Sequence, residues 1–239
     1  MYKNFSKVYD KFIEICDYTE WVKVLEGYID EYNPKGIKIL DLGCGTGSTL
    51  AKINERYKCS GLDLSEEMLK RAKVKLKGKD VPLFLGDMRE FDTGEKYDII
   101  FSFFDTVNHL TSLEDLTDLF NSVKNSLEKG GIYIFDVVDR DFMDKMFANG
   151  VYADNRKDFA VIWEHFYDED EMLDQIDATY FMKNKNKTFD RLTEYYEKRI
   201  FSLEEIKICA ENTGFFIKKC EINDTLAGKR YFYVLKYEN

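Results

Sequence analysis

Proline is nearly absent from this chain. Only Pro34 and Pro82 occur in 239 residues, and no Gly/Ser-rich stretch or internal repeat divides them, so nothing in the composition marks a linker. Cysteine is sparse and odd in number: Cys16, Cys44, Cys59, Cys209 and Cys220 are widely spaced and form no C-x-x-C pair. That argues against a disulfide framework or a structural zinc site and fits a reducing, cytoplasmic location; no metal site is expected. Long apolar runs are missing as well. The longest, Ile99 to Phe104 and Ile132 to Val138, are broken by Ser102 and Asp136. They fall far short of the ~20 residues of a membrane span, and the first seven residues hold no apolar signal core. Basic charge is in deficit: 35 Lys and Arg face 45 Asp and Glu, a net of −10, which argues against a nucleic-acid groove.

What is present is a soluble, core-forming composition, 44% apolar and 15% aromatic. Residues 5–32 carry apolar side chains at helical spacing, Trp21, Val24, Leu25 and Tyr28 among them. After the turn at 33–36, short apolar runs alternate with amphipathic ones. Strands are expected at 37–42, 59–64, 81–85, 97–103 and 132–138, with helices at 46–57, 65–76 and 113–127. This alternation predicts βαβ units and a parallel sheet. Beyond about residue 140 the period changes to two, predicting an antiparallel insert of about three strands to residue 199. A capping-box helix from Ser202 and two closing strands follow.

The sharpest local signal is Asp41-Leu42-Gly43-Cys44-Gly45-Thr46-Gly47 at the end of an apolar strand. Glycines there let a ligand approach the backbone, and a following helix start offers N–H groups. Asp63 ends the next strand, 20 residues after Gly43, the place for a carboxylate on ribose hydroxyls. The spacing is GxGxG rather than the GxGxxG of dinucleotide binders, and Asp41 would repel a pyrophosphate but suit an ammonium group.

These residues resemble the first motif of the class I S-adenosylmethionine-dependent methyltransferases, and the resemblance continues over residues 35–140 and 200–239. It implies a Rossmann-like seven-stranded, mostly parallel sheet with helices on both faces, an N-terminal helical lid (1–34) and an antiparallel insert (141–199) roofing the acceptor. It also implies S-adenosylmethionine as cofactor. The backbone at Gly43, Gly45 and Gly47, with Asp41, Cys44 and Thr46, would cradle its methionine and ribose portion. Asp63 would take the ribose, Leu64 would pack on the adenine, Asp87 and Met88 would read its edge, and Phe103 ends the fourth strand beside it. Leu127-Glu128-Lys129-Gly130-Gly131 resembles the family's turn into strand five, without its usual proline. The implied activity is methyl transfer to a small-molecule acceptor, at N or O more than C, by a monomer or homodimer. A cofactor-binding protein without turnover, or a nicotinamide-dependent oxidoreductase, are the alternatives.

For the reacting end the sequence offers less. Tyr9 and Trp21 are candidates to face the sulfonium, or are core anchors of an amphipathic helix. His109, just after the fourth strand, and His165, on an insert strand with Trp163 and Tyr167, are the two possible bases, or a packing residue and an outward strand face. Tyr195 and Arg199 share a face and either hold an acidic acceptor or pair with surface carboxylates. The lysine run from Lys70 to Lys79 reads as a solvated helix face, and Cys44 as a residue chosen for size.

Overall fold

The computed structural model describes residues 5–53 and 55–238; residues 1–4 of the expected lid segment, Asn54 and Asn239 lie outside them. Five parallel strands carry the apolar runs: β1 (Lys38–Leu42), β2 (Lys58–Asp63), β3 (Leu83–Leu85), β4 (Tyr97–Ser102) and β5 (Leu127–Val137). Four further strands, β6 (Val151–Arg156), β7 (Phe159–Asp168), β8 (Leu173–Lys183) and β9 (Phe189–Arg199), make a separate antiparallel sheet in that order. The closing strands β10 (Phe215–Asn223) and β11 (Arg230–Tyr237) return to the first sheet, whose order is β10-β11-β5-β4-β1-β2-β3. In that sheet β11 alone runs against the direction of the other six strands. The chain thus leaves β1 toward β2 on one side and returns by β4 on the other, which opens a crevice beyond the carboxyl ends of β1 and β4.

The two sheet faces bury separate apolar layers, as a doubly covered sheet requires. On one face, Trp21, Leu25 and Ile29 of a helix spanning Tyr18–Tyr32 pack on Ile39, Phe101 and Phe232. On the other, helices Leu113–Ser126 and Leu203–Asn212 bring Leu116, Phe120 and Ile206 against Ile100 and Phe135. Ser65, Ser112 and Ser202 cap their helices through side-chain oxygens that accept from Met68, Asp115 and Glu205 N–H, the last in a full capping box. A third layer joins Phe5 and Val8 of the N-terminal segment to Met143, Phe159, Ile176 and Tyr180. It ties that segment to the insert sheet, whose inward face alternates as the period of two requires: Ile176, Ala178 and Tyr180 are buried and Asp177 is exposed.

Four expectations need correction. The described residues of 46–57 form successive turns rather than the expected helix, Asn54 lying outside them. Gly45 and Gly47 sit at φ +53° and +74°, where a right-handed helix cannot start, and Ser48 and Thr49 compete for the backbone; isolated helical bonds survive, as Ala51 N–H to Gly47 O at 3.0 Å. The N-terminal run is broken into a 3-10 turn (Phe5–Lys7), one helical turn (Tyr9–Phe12) and the Tyr18–Tyr32 helix, because Asp17 caps a fresh start by accepting from Thr19 N–H. The insert has four strands, not three, and a helix (Arg140–Met146) precedes it. Lastly, β5 runs through Gly130–Gly131 instead of starting after them, with an irregular register opposite β4. No helix among the described residues is long and apolar enough to cross a membrane, and the five cysteines are free thiols.

Candidate functional site

The glycine turn leaves the end of β1 and is pinned to its neighbour strand: the N–H groups of Gly43 and Cys44 both donate to the Leu62 carbonyl, at 2.8 and 3.0 Å. Gly43 holds φ +90°, and a Cβ there would meet Thr106 Cγ2 at 2.4 Å. Gly45 differs: a Cβ would meet nothing within 4 Å, because the turn opens there onto a cavity of about 760 Å³. Asp63 at the end of β2 is fixed by two backbone donors, Gly45 N–H on Oδ2 and Ser65 N–H on Oδ1, each at 2.8 Å. Burial still raises its pKa, against the pull of those N–H groups. Asp41 is 4% exposed, lines the same cavity and has no hydrogen-bond partner among the described residues. Burial and the neighbouring Asp63 push its pKa far up. Such a carboxyl is costly unless a ligand donates to it.

Tyr9, Trp21, Gly43, Thr46, Leu64, Met88 and Phe103 also line this cavity, whereas Cys44 and Gly47 do not. Gly47 faces Ala72 and Leu76 of the helix Glu66–Lys75 and its C-terminal end. The Cys44 thiol is buried and pushed up in pKa by burial, Asp41 and Asp63, a packing group rather than a nucleophile. Asp87 lines the cavity but is already engaged: Arg89 bonds both its oxygens, by Nη2 at 2.7 Å and Nε at 3.1 and 3.2 Å, and reaches Asp115 with Nη1 at 2.8 Å. Arg89 therefore holds the Asp87 carboxyl below its usual range.

Beside the glycine turn, where Thr106 packs on Gly43, Phe104 and Asp105 follow β4 with φ of 62° and 51°. Two consecutive non-glycine residues in the left-handed region store strain of about 1–3 kcal/mol each. A buried charge cluster holds them there. Asp105 N–H donates to Asp136, the Asp105 carboxylate pairs with Lys198 and Arg230, and Arg230 also meets Asp136 at 2.6 Å. Burial works to raise the Asp105 pKa, but the two cations outweigh it and hold the carboxyl well below its usual range. His109, at the end of the 3-10 turn Thr106–His109, lines the cavity beside this cluster. Burial, then Lys198, push its pKa down to about 3 against the pull of Asp105. The ring N–H donates to the Glu197 carbonyl, so the other ring nitrogen of this neutral imidazole is an acceptor.

The remaining sequence candidates lie elsewhere. His165 shares its strand face with Trp163, but Phe147 stacks on its ring at 4.5 Å and its Nε2 meets Asp174 at 2.7 Å. Asp174 is fully buried and clamped by Arg140, so His165 belongs to a structural hydrogen-bonded cluster and does not line the cavity. Trp21 is 1% exposed and stacked on Phe104 at 4.0 Å, with the Arg230 guanidinium over its ring; it reaches the cavity as an edge of the core. Tyr195 and Arg199 pair with Glu197 and Glu205. Lys70 pairs with Glu66 and Glu67, but Lys75 of the same run bridges Asp10 to Thr46, each at 2.8 Å, linking the N-terminal segment to the glycine turn. Asp105, Lys198 and Arg230 carry no sequence motif. They come from three separate segments, and only the fold brings them together.

A glycine turn and a strand-end carboxylate at the switch point of a parallel sheet define a nucleoside-binding α/β protein. Comparison with known proteins makes this specific. The family described as a methyltransferase domain matches residues 39–131. Over 218 residues, 90% of this chain and 86% of the other, the sequence is 34% identical to a Bacillus subtilis (strain 168) protein named "Putative methyltransferase YqeM". The fold superposes on an S-adenosylmethionine-dependent methyltransferase from Clostridium acetobutylicum ATCC 824 with a TM-score of 0.87 and 24% identity, covering 100% and 99% of the two chains. A shorter match, 33% over 135 residues (56% of this chain, 55% of the other), is to dTDP-3-amino-3,4,6-trideoxy-alpha-D-glucopyranose N,N-dimethyltransferase of Streptomyces venezuelae. The chain belongs to the class I S-adenosylmethionine-dependent methyltransferases and is an enzyme that uses this cofactor. The oxidoreductase alternative falls with that assignment.

Proposed function

We propose that this enzyme methylates a nitrogen of a small-molecule amine. The observation that carries the reading is one continuous cavity that holds the buried Asp41 carboxyl and Asp63 beside the glycine turn together with the neutral His109 and several aromatic side chains. At the glycine-turn end, Asp63 would take the two ribose hydroxyls on the lone pairs that Gly45 and Ser65 leave open. The unpaired Asp41 accepts from the cofactor's ammonium group, and the open space at Gly45 lets the chain lie against the turn. Leu64, half exposed at the rim, packs on the adenine, with Met88 beside it. Asp87 reaches the adenine amino group with the capacity that Arg89 leaves, since a carboxylate accepts at about four sites. When bound, S-adenosylmethionine supplies a methyl group on a cationic sulfur. The protein's part is to align the acceptor in line with it and exclude water.

Tyr9 and the N-terminal segment close that end. Arg156 of the insert fastens the segment by bonds to the Lys11 and Phe12 carbonyls and to Glu14. An amine attacks only through its unprotonated lone pair. His109, neutral across the physiological range, accepts a hydrogen bond from the amine N–H and turns the lone pair toward the methyl group; it orients rather than strips a proton. The domains then divide the work: residues 35–140 and 200–239 hold the cofactor, 1–34 and 141–199 enclose the acceptor. An amino-sugar dimethyltransferase among the relatives supports nitrogen as the atom methylated. The test is calorimetric titration with S-adenosylhomocysteine, followed by transfer of a labelled methyl group to a panel of amines, alcohols and carboxylates. Label appearing on oxygen acceptors and not on amines sinks the reading.

A further inference from the structure

One wall of the cavity is built by segments more than a hundred residues apart. Phe12 comes from the N-terminal segment, Trp163 and Tyr152 from the insert, and Met146 from the helix that precedes it, and all four line the cavity. Their rings form a corner: Phe12 lies 4.9 Å from Trp163, Tyr152 5.6 Å from Trp163, and Phe12 6.4 Å from Tyr152. Each of the four is only partly buried, so the corner keeps aromatic surface toward the cavity.

The charges around it are as informative. Among the described residues the cavity is lined by three cations, Arg89, Lys198 and Arg230. Every one is already matched: Arg89 by Asp87 and Asp115, Lys198 by Asp105, Arg230 by Asp105 and Asp136. At the outer mouth, where a smaller hollow shares Phe142, Met146 and Tyr152 with the cavity, Lys229 pairs with Asp139 at 2.6 Å and Lys145 with Asp141 at 3.6 Å. A pyrophosphate or carboxylate on the acceptor would enter a cavity whose cations are all neutralised and whose carboxylates outnumber them. Desolvating an anion there without a dedicated cation is unfavourable. A neutral or cationic apolar body meets no such penalty and gains from the aromatic faces.

Resting on the amine reading above, we propose that the acceptor is an apolar amine, its aryl or alkyl body seated against Phe12, Tyr152 and Trp163, and that a nucleotide-linked sugar is excluded. The closing experiment uses wild-type protein saturated with S-adenosylhomocysteine. It is titrated calorimetrically with 2-phenylethylamine, tryptamine and octylamine and, separately, with thymidine diphosphate. The expected result is at least one amine binding tenfold or more tightly than the nucleotide. Trp163→Ala and Phe12→Ala should each weaken that amine about tenfold or more while leaving S-adenosylhomocysteine affinity unchanged, with Trp163→Phe restoring most of it. The proposal is overturned if thymidine diphosphate binds as tightly as the best amine, if none of the three amines binds, or if the variants hold the amine as wild type does. Failure of S-adenosylhomocysteine itself to bind appears in the first titration and overturns the cofactor site beneath the proposal, a separate outcome.

Discussion

His109→Gln isolates the neutral histidine that the proposed reading places at the acceptor. In the folded protein its pKa is pushed from 6.5 down to about 3 by burial and by Lys198, with Asp105 pulling the other way and its N–H on the Glu197 carbonyl. A folded-state pKa below the unfolded value means that the unfolded chain binds the extra proton as the solution is acidified. The stability tied to neutral His109 is therefore whole above pH 6.5 and is lost as pH falls toward 3. At pH 5.5, one unit below the unfolded value, the loss is on the order of 1 kcal/mol; at pH 7.5 it is negligible. Glutamine can still donate to the Glu197 carbonyl and has no proton to gain. Asp41 and Asp63, whose pKa values are raised, change stability in the opposite sense, but they are common to both proteins and cancel in the difference. Urea unfolding of wild type and His109→Gln at the two pH values should show wild type losing about 1 kcal/mol more than the variant on going to pH 5.5. A difference that stays flat between the two pH values refutes the reasoning: His109 would then titrate normally in the folded state and could not serve as a standing acceptor at neutral pH.

The cofactor end gives sharper contrasts. Asp63→Ala should weaken S-adenosylhomocysteine about a hundredfold or more by calorimetry, since it removes a buried acceptor whose geometry two backbone donors fix. Gly43→Ala and Gly45→Ala should separate folding from binding. The first drives a Cβ into Thr106 and lowers the melting temperature by several degrees, roughly 1–3 kcal/mol of strain. The second has no clash, because its Cβ meets nothing, and costs only the left-handed strain of φ +53°, about 1–2 kcal/mol, yet weakens S-adenosylhomocysteine by filling the cavity. Arg156→Ala removes three bonds to the N-terminal segment, so limited proteolysis should cut faster near residues 10–16 while unfolding in urea changes by less than about 1 kcal/mol.

How much of this the sequence discloses depends on how local the cause is. The βαβ alternation, the Ser202 capping box and the pairing of Asp41 with Asp63 are written in neighbouring residues, and each is where its pattern places it. The helix expected at 46–57 fails for a reason equally local but of opposite sign: the glycines that open the turn for a ligand hold φ values that deny a helix its start. Features set by contact across the fold are not legible in this way. Nothing around Lys198 distinguishes it from any strand lysine, and only the left-handed turn at Phe104–Asp105 carries a carboxylate to it. His165 and His109 look equally eligible in sequence, and what separates them is their surroundings. One has a buried carboxylate and a covering ring; the other is kept neutral by burial and then by Lys198, with a cavity in front of it. The aromatic corner is the extreme case, since Phe12 and Trp163 each read as ordinary amphipathic residues of their own segment. Their 4.9 Å approach exists only because Arg156 and the third apolar layer tie the N-terminus to the insert. On the proposed reading, acceptor choice is a property of that tie, separable from the glycine turn and Asp63.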